Sequence, residues 1–175
     1  MTIRDFQSKS PEIASSAYID EAALVIGDVS IGADSSVWPM TVIRGDVHSI
    51  KIGERTNIQD ASVCHVTHDG EYSPGGFPLT VGDDCTVGHR VLLHACTVGD
   101  LCLIGMAATI MDGAVVEDKV IVGAGSLVPT GKTLKSGYLY VGSPVKRVRE
   151  LNEKEIAFLK YSAEHYSKLK DQHKF

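Results

Sequence analysis

No run of about 18 apolar residues occurs in the chain, so no membrane-spanning helix is expected. Basic residues are outnumbered: 17 Lys and Arg face 22 Asp and Glu, for a formal net charge of -5. Nucleic-acid partners need clustered cations to neutralise phosphates, so that class of function is disfavoured. The four cysteines, Cys64, Cys85, Cys96 and Cys102, form no Cys-x-x-Cys pair. They are expected to be free thiols in a reducing compartment. The opening Met1-Thr2-Ile3-Arg4-Asp5-Phe6 lacks the apolar stretch and cleavage site of a signal peptide, and the expected location is the cytoplasm. What is present suffices for a folded core. Of 175 residues, 43% are hydrophobic and 22% charged, which argues against disorder and for one domain with at most an appendage.

The dominant pattern is a six-residue repeat. Aliphatics recur at Ile13, Ile19, Val25, Ile31, Val37 and Ile43, then at Ile52, Ile58 and Cys64. They resume at Val81, Val87 and Leu93, and again from Val98 through Ile104, Ile110, Val116, Val122, Val128 and Leu134 to Tyr140. Of these 20 positions 18 are Ile, Val or Leu, too many for accidental spacing in a generic β domain. Four places on lies a second restricted position, small or β-branched, as in Ser35, Thr41, Thr56, Ser62, Ala108 and Ala114. Six residues turn a helix by about 600°, so a helix would scatter the aliphatics around its surface. A strand has period two, so every sixth side chain can face one way. The reading is an all-β solenoid with the aliphatics stacked inward. Gly after many of the aliphatics, as in Ile52-Gly53 and Val81-Gly82, is expected to mark the bends.

The phase slips in three places. Three residues are inserted around Val47-His48-Ser49, and eleven between His65 and Thr80; one is missing between Leu93 and Val98. Insertions in a solenoid are expected as surface loops, where function concentrates. After Pro144 the pattern changes. Asn152-Glu153-Lys154-Glu155 has capping-box form. Ile156, Leu159, Ala163, Tyr166 and Leu169 then follow at helical spacing. The expected division is a coil over 1–149 and a helix within 150–175, about 15–20 residues long, packed on the coil.

Phase also locates side chains. With three strands per turn, Leu93 lies above Cys64, so His94 lies above His65, and Arg44 lies one turn below His65. Successive strands are about 4.7–4.9 Å apart, close enough for two imidazoles to share a metal. His89 is in another phase, five residues and up to about 16–18 Å of extended chain from His94. A neighbouring subunit is better placed to supply it. Asp60 lies one turn below His89 and could meet Arg44 across such an interface.

The stretch from Trp38-Pro39 to Arg44-Gly45-Asp46 resembles γ-class carbonic anhydrases and related small hexapeptide-repeat proteins. So do Asn57-Ile58-Gln59-Asp60 with His65, the run Val87-Gly88-His89 to Leu93-His94, and Tyr140-Val141-Gly142-Ser143-Pro144-Val145-Lys146. The resemblance covers nearly the whole chain. It implies a left-handed parallel β-helix, although ordinary parallel crossovers are right-handed, with a C-terminal helix. It also implies a homotrimer with Zn2+ at each interface, held by His65, His89 and His94; three-histidine sites also take Fe2+ or Co2+. Gln59 would stand beside the metal-bound water. Arg44, Asp46 and Asp60 would organise the site and interface, and Tyr140 would line the pocket. The implied reaction is the hydration of carbon dioxide to bicarbonate by zinc-activated hydroxide. In the inserted loop His68, Asp69 and Glu71 are the candidate proton shuttles. Two other readings stay open: a metal-dependent acyl (thioester) hydrolase or acyltransferase-like enzyme, and a non-catalytic metal-binding scaffold. A narrow pocket at Gln59 would favour carbon dioxide, and an open groove an acyl substrate. Cys64, Cys85 and Cys102 sit at core phases and are read as packing; Cys96 lies in the shortened hexad.

Overall fold

The computed structural model describes residues 2–173. The ends of the two expected units, at residues 1, 174 and 175, lie outside this range. The chain winds as a left-handed β-helix with three faces. The first face stacks Ile3–Arg4, the start of Leu24–Ile31, the start of Val42–Ile52, Val63–His65, Leu92–His94, Thr109–Ile110 and Leu127–Val128. The second stacks Glu12–Ile13, the ends of the same two long strands, Leu79–Val81, Thr97–Val98, Val115–Val116 and Thr133–Leu134. The third runs from Tyr18–Ile19 through Ser36–Val37, Asn57–Ile58, Thr86–Val87, Leu103–Ile104 and Ile121–Val122 to Tyr138–Gly142. The six-residue phase is the register of the sheets. Ile43 pairs with Cys64, Cys64 with Leu93, and Leu93 with Ile110.

The aliphatic positions fill the interior, with Ile43, Ile58, Leu93, Ile104 and Ile110 fully buried. The second restricted position is inward too, and its hydroxyls work between turns. Ser35 Oγ donates to Gly53 O at 2.7 Å, Thr56 Oγ1 to Gly82 O at 2.7 Å and Thr41 Oγ1 to Gln59 O at 2.9 Å. Backbone carbonyls at the corners thereby gain a partner from the turn below.

The bends are not at the glycines expected to make them. Left-handed backbone falls three positions after the aliphatic at Asp34 and Met40, Arg55 and Ala61, Asp84 and Arg90, two after Leu93 at Ala95 in the shortened hexad, and then at six-residue intervals from Leu101 to Gly137. This conformation costs a non-glycine residue about 1–2 kcal/mol. It is held by bonds to the turn below: Ala61 N to Pro39 O at 3.0 Å, Arg90 N to Asp60 O and Ala107 N to His89 O, both at 2.9 Å. The glycine after the aliphatic answers a different demand, the close stacking of successive turns. Asp100 Oδ1 lies above Gly82 and accepts from Asp83 N at 2.8 Å. A Cβ on Gly82 would sit 2.2 Å from that oxygen and 2.8 Å from Gly99 C. Asp83 stands over Gly53 in the same way, accepting from Glu54 N at 2.8 Å.

The insertions behave differently from one another. Val47-His48-Ser49 bulges within the continuous strand Val42–Ile52 and does not leave the sheet. The longer insertion after His65 protrudes.

At the C-terminal end Val145–Glu150 turns back antiparallel on Tyr138–Gly142, a hairpin the repeat did not announce. The helix Glu153–His173 follows, 21 residues long, and lies on the third face. Its capping box is reciprocal: Glu155 N donates to Asn152 Oδ1 and Asn152 N to Glu155 Oε2, both at 3.0 Å. Leu159 and Ala163 are buried as expected, but Ile156 stays exposed. No helix among the described residues is long and apolar enough to cross a membrane.

Gly82→Ala should destabilise the fold by about 1–3 kcal/mol, the usual cost of forcing an extra carbon into a packed site. Urea unfolding measures this, and a change below about 0.5 kcal/mol would contradict the stacking account.

Candidate metal centre

The strand register sets His65 beside His94 at the end of the first face. Their ring centroids are 5.2 Å apart, and His65 Nδ1 lies 3.2 Å from His94 Nε2. Two nitrogens bound tetrahedrally to zinc at about 2.0–2.1 Å would be about 3.3–3.4 Å apart. The pair therefore converges as two ligands of one ion would.

The far nitrogen of each ring meets a carboxylate. His65 Nε2 faces Asp46 Oδ1 at 3.1 Å, and His94 Nδ1 faces Asp112 Oδ2 at 2.9 Å. His89 Nδ1 faces Asp60 Oδ2 at 2.8 Å. An ionised carboxylate only accepts, so the nitrogen facing it carries the proton and the other keeps a bare lone pair. The free nitrogens are Nδ1 of His65 and Nε2 of both His94 and His89. The donor set and its backing thus fit a divalent metal.

Asp46 and Asp112 are held ionised. Burial pushes Asp46 up, but hydrogen bonds from Arg44 and His65 outweigh it and keep the carboxyl below its ordinary range. Burial acts likewise on Asp112, outweighed by hydrogen bonds from Thr67 and His94. For His65, burial pushes the imidazole below its usual value despite the Asp46 hydrogen bond, and the Arg44 charge adds to the effect. The ring is therefore neutral near pH 7, as a ligand must be.

His89 stands apart from this pair. It belongs to the corner after Thr86–Val87, and its side chain is 42% exposed. Among the described residues no three His, Cys, Asp or Glu side chains of one chain gather as a metal site. One chain offers two convergent imidazoles at one corner and a third at another.

Gln59 is buried on the third face, and its Nε2 donates to Asn57 Oδ1 at 2.9 Å. Asn57 is itself fixed, its Nδ2 donating to Cys85 O at 3.1 Å and Thr86 Oγ1 at 3.2 Å. That chain sets the Gln59 amide and leaves its carbonyl oxygen for a ligand. A groove of about 330 Å³ opens between the third face and the helix, lined among others by Gln59, His89, Leu103, Met106, Phe158 and Tyr166. Burial pushes the Tyr166 hydroxyl up, helped by the Asp60 charge and opposed by a hydrogen bond with Gln59.

The other expected residues divide. Arg44 takes its place below His65 and bonds Asp46. Asp60 bonds its own chain's His89. Tyr140 is corrected: it packs inward in the core three turns above Val87, with its hydroxyl accepting from Lys135 N at 2.8 Å. An inward phase so far along the coil makes it packing in this chain, not a pocket wall. His68, Asp69 and Glu71 lie exposed in the protruding loop. Three residues were not singled out from sequence. Asn57 could have been, since alternation puts it on the face of Gln59. Asp112 and Thr67 carried no comparable signal, because the shortened hexad sets Leu93 opposite Ile110 and disturbs the count beyond it.

Comparison with known proteins places the chain in a family. A family model described as the hexapeptide repeat of succinyl-transferase matches residues 96–128. Protein YrdA of Escherichia coli is 54% identical over 98% of this chain and 93% of its own length. A carbonic anhydrase of Geobacillus kaustophilus is 42% identical over 88% of this chain and 81% of its own. A crystal structure of a hexapeptide transferase family protein from Anaplasma phagocytophilum superposes with a TM-score of 0.90 at 42% identity, covering 98% of this chain and 97% of that one. The chain belongs to the γ-class carbonic anhydrase family of hexapeptide-repeat proteins.

No cysteine joins the site. All four are buried, Cys96 included, which settles its place as packing. Burial pushes the Cys64 thiol up to about 12 and raises Cys96 as well. A thiol reagent at pH 8 should leave the native protein unlabelled and modify four thiols after denaturation. Fast labelling of the native protein would contradict this packing.

Proposed function

We propose that three copies of this chain assemble about a threefold axis and bind one Zn2+ at each interface, to hydrate carbon dioxide reversibly. Fe2+ and Co2+ suit the same donors. The observation that carries the reading is the convergence of His65 Nδ1 and His94 Nε2 at 3.2 Å, each ring backed by its own aspartate. The third ligand is His89 of a neighbouring copy, whose Nε2 is left bare by Asp60.

When bound, the metal lowers the pKa of a water to about 7 and so supplies the hydroxide nucleophile. The chain's residues do the rest. Asp46, Asp112 and Asp60 hold the imidazoles in one tautomer and in one orientation. Arg44 holds Asp46. Gln59, fixed by Asn57, offers its carbonyl oxygen to accept a hydrogen bond from the nucleophile or from bicarbonate, and so aims it. Leu103, Met106 and Phe158 make the approach apolar, which suits an uncharged substrate. His68 and Glu71 are solvent-facing groups on the loop beside Asp112 and remain the candidates for proton exchange.

A second reading draws on the same groove. Its about 330 Å³, lined by aliphatic and aromatic side chains, is wider than carbon dioxide requires and suits the chain of an acyl ester or thioester.

Stopped-flow hydration of carbon dioxide by the zinc-loaded protein decides the first reading. His94→Ala should lower the rate by more than the about 10–100-fold that follows loss of a ligand's hydrogen-bond partner. Equal rates would refute it, and turnover confined to a thioester probe would select the second. Mixing His65→Ala and His89→Ala chains after co-refolding should restore part of the metal binding that each lacks alone. No recovery, with the wild type binding normally, would contradict the shared interface.

A further inference from the structure

The insertion after His65 closes on itself. Thr67 and Phe77 pair antiparallel at its stem, Thr67 N donating to Phe77 O at 3.1 Å and Phe77 N to Thr67 O at 2.9 Å. Nearer the tip, Gly70 and Ser73 pair again, and Gly75 N donates to Asp69 Oδ1 at 2.7 Å. The stem stands on the turn that follows Thr109–Ile110. Phe77 Cε1 would lie 3.7 Å from a Cβ placed on Gly113, and Thr67 Oγ1 donates to Asp112 Oδ1. The other oxygen of that carboxylate, Oδ2, is 2.9 Å from His94 Nδ1. Both oxygens of Asp112 are thus engaged, one by the insertion and one by the imidazole.

A carboxylate with a single partner can swing about its terminal torsion, which is soft. Held at both oxygens it cannot, and the imidazole that donates to it inherits a fixed tautomer and ring plane. Thr67 suits this task because its branched β-carbon restricts χ1 and aims the hydroxyl. The stem pairing fixes the backbone beneath it. Serine would aim less sharply but still donate. Valine keeps the shape and loses the donor.

We infer that Thr67 is a positioning residue that, through Asp112, holds His94 with its proton on Nδ1 and Nε2 bare. The insertion is then a splint for one imidazole, and its contribution to the geometry of the site runs through Thr67. The inference rests on the proposed metal reading only for its effect on affinity, since the Asp112 contact that would set the tautomer needs no metal.

The test compares wild type, Thr67→Val and Thr67→Ser. Long-range 1H–15N spectra of the metal-free protein at neutral pH should show His94 as one Nδ1–H tautomer in wild type and in Thr67→Ser, and as a mixture in Thr67→Val. Titration with Co2+ against a chromophoric chelator should show Thr67→Val weakened about 10-fold and Thr67→Ser near wild type. A single Nδ1–H tautomer retained in Thr67→Val, or no recovery in Thr67→Ser, overturns the inference. The expected tautomers with no Co2+ binding by wild type would sustain Thr67 as a positioning residue and overturn the metal reading instead.

Discussion

Each turn of the coil is hydrogen-bonded to the next, rung by rung, and every side chain at a corner therefore stands one strand spacing from its counterpart above. Inward, that spacing is met by stacked aliphatics and by hydroxyls such as Thr41 and Thr56, which bond the carbonyls of the following turn. At the corners it demands left-handed residues, and between them glycines over which the next turn can lie. Outward, it places His65 and His94 with ring centroids 5.2 Å apart. A repeating scaffold thus sets two imidazoles at close to the separation that two ligands of one ion would have. It cannot deliver three from one column. Arg44 lies on the far side of His65 from His94, and a third donor in line would stand two spacings off and could not close a tetrahedron. In the proposed site the remaining ligand would approach from outside the column, which is why His89, on another corner, is assigned to a second copy.

The electrostatics follow from the same stacking. Three aspartates stand behind three histidines, and two of them have a second donor: Arg44 on Asp46 and Thr67 on Asp112. The half-buried His65 stays neutral while its carboxylate stays charged. Imidazoles with anionic partners just behind them would suit a dication, because the negative charge lies close without occupying a coordination position.

How much of this could be read from sequence depended on whether the six-residue phase was intact. Where it held, both the interior and the position of His94 above His65 could be counted, because sheet register and sequence phase are one quantity. Where it broke, the reading stopped. Asp112 lies beyond the shortened hexad, and Thr67 is in an insertion whose path no periodicity specifies. The strand Val145–Glu150 follows the last repeat and pairs antiparallel, outside the pattern. The glycines were misjudged for a different reason. Sequence marks where glycine occurs but not whether φ or proximity requires it, and here proximity was the cause at Gly53 and Gly82. Tyr140 kept the phase of the repeat, and that phase pointed it inward.

The central claim is that the metal lies between copies, with two ligands from one chain and one from the next. Anomalous diffraction at the zinc edge, from crystals of the zinc-loaded protein, tests it most directly. The account requires a peak at each interface about 2.0–2.1 Å from His65 Nδ1 and His94 Nε2 of one copy and from His89 Nε2 of its neighbour. A peak bound by residues of a single chain, or by His65 and His94 with no neighbouring histidine, would contradict it.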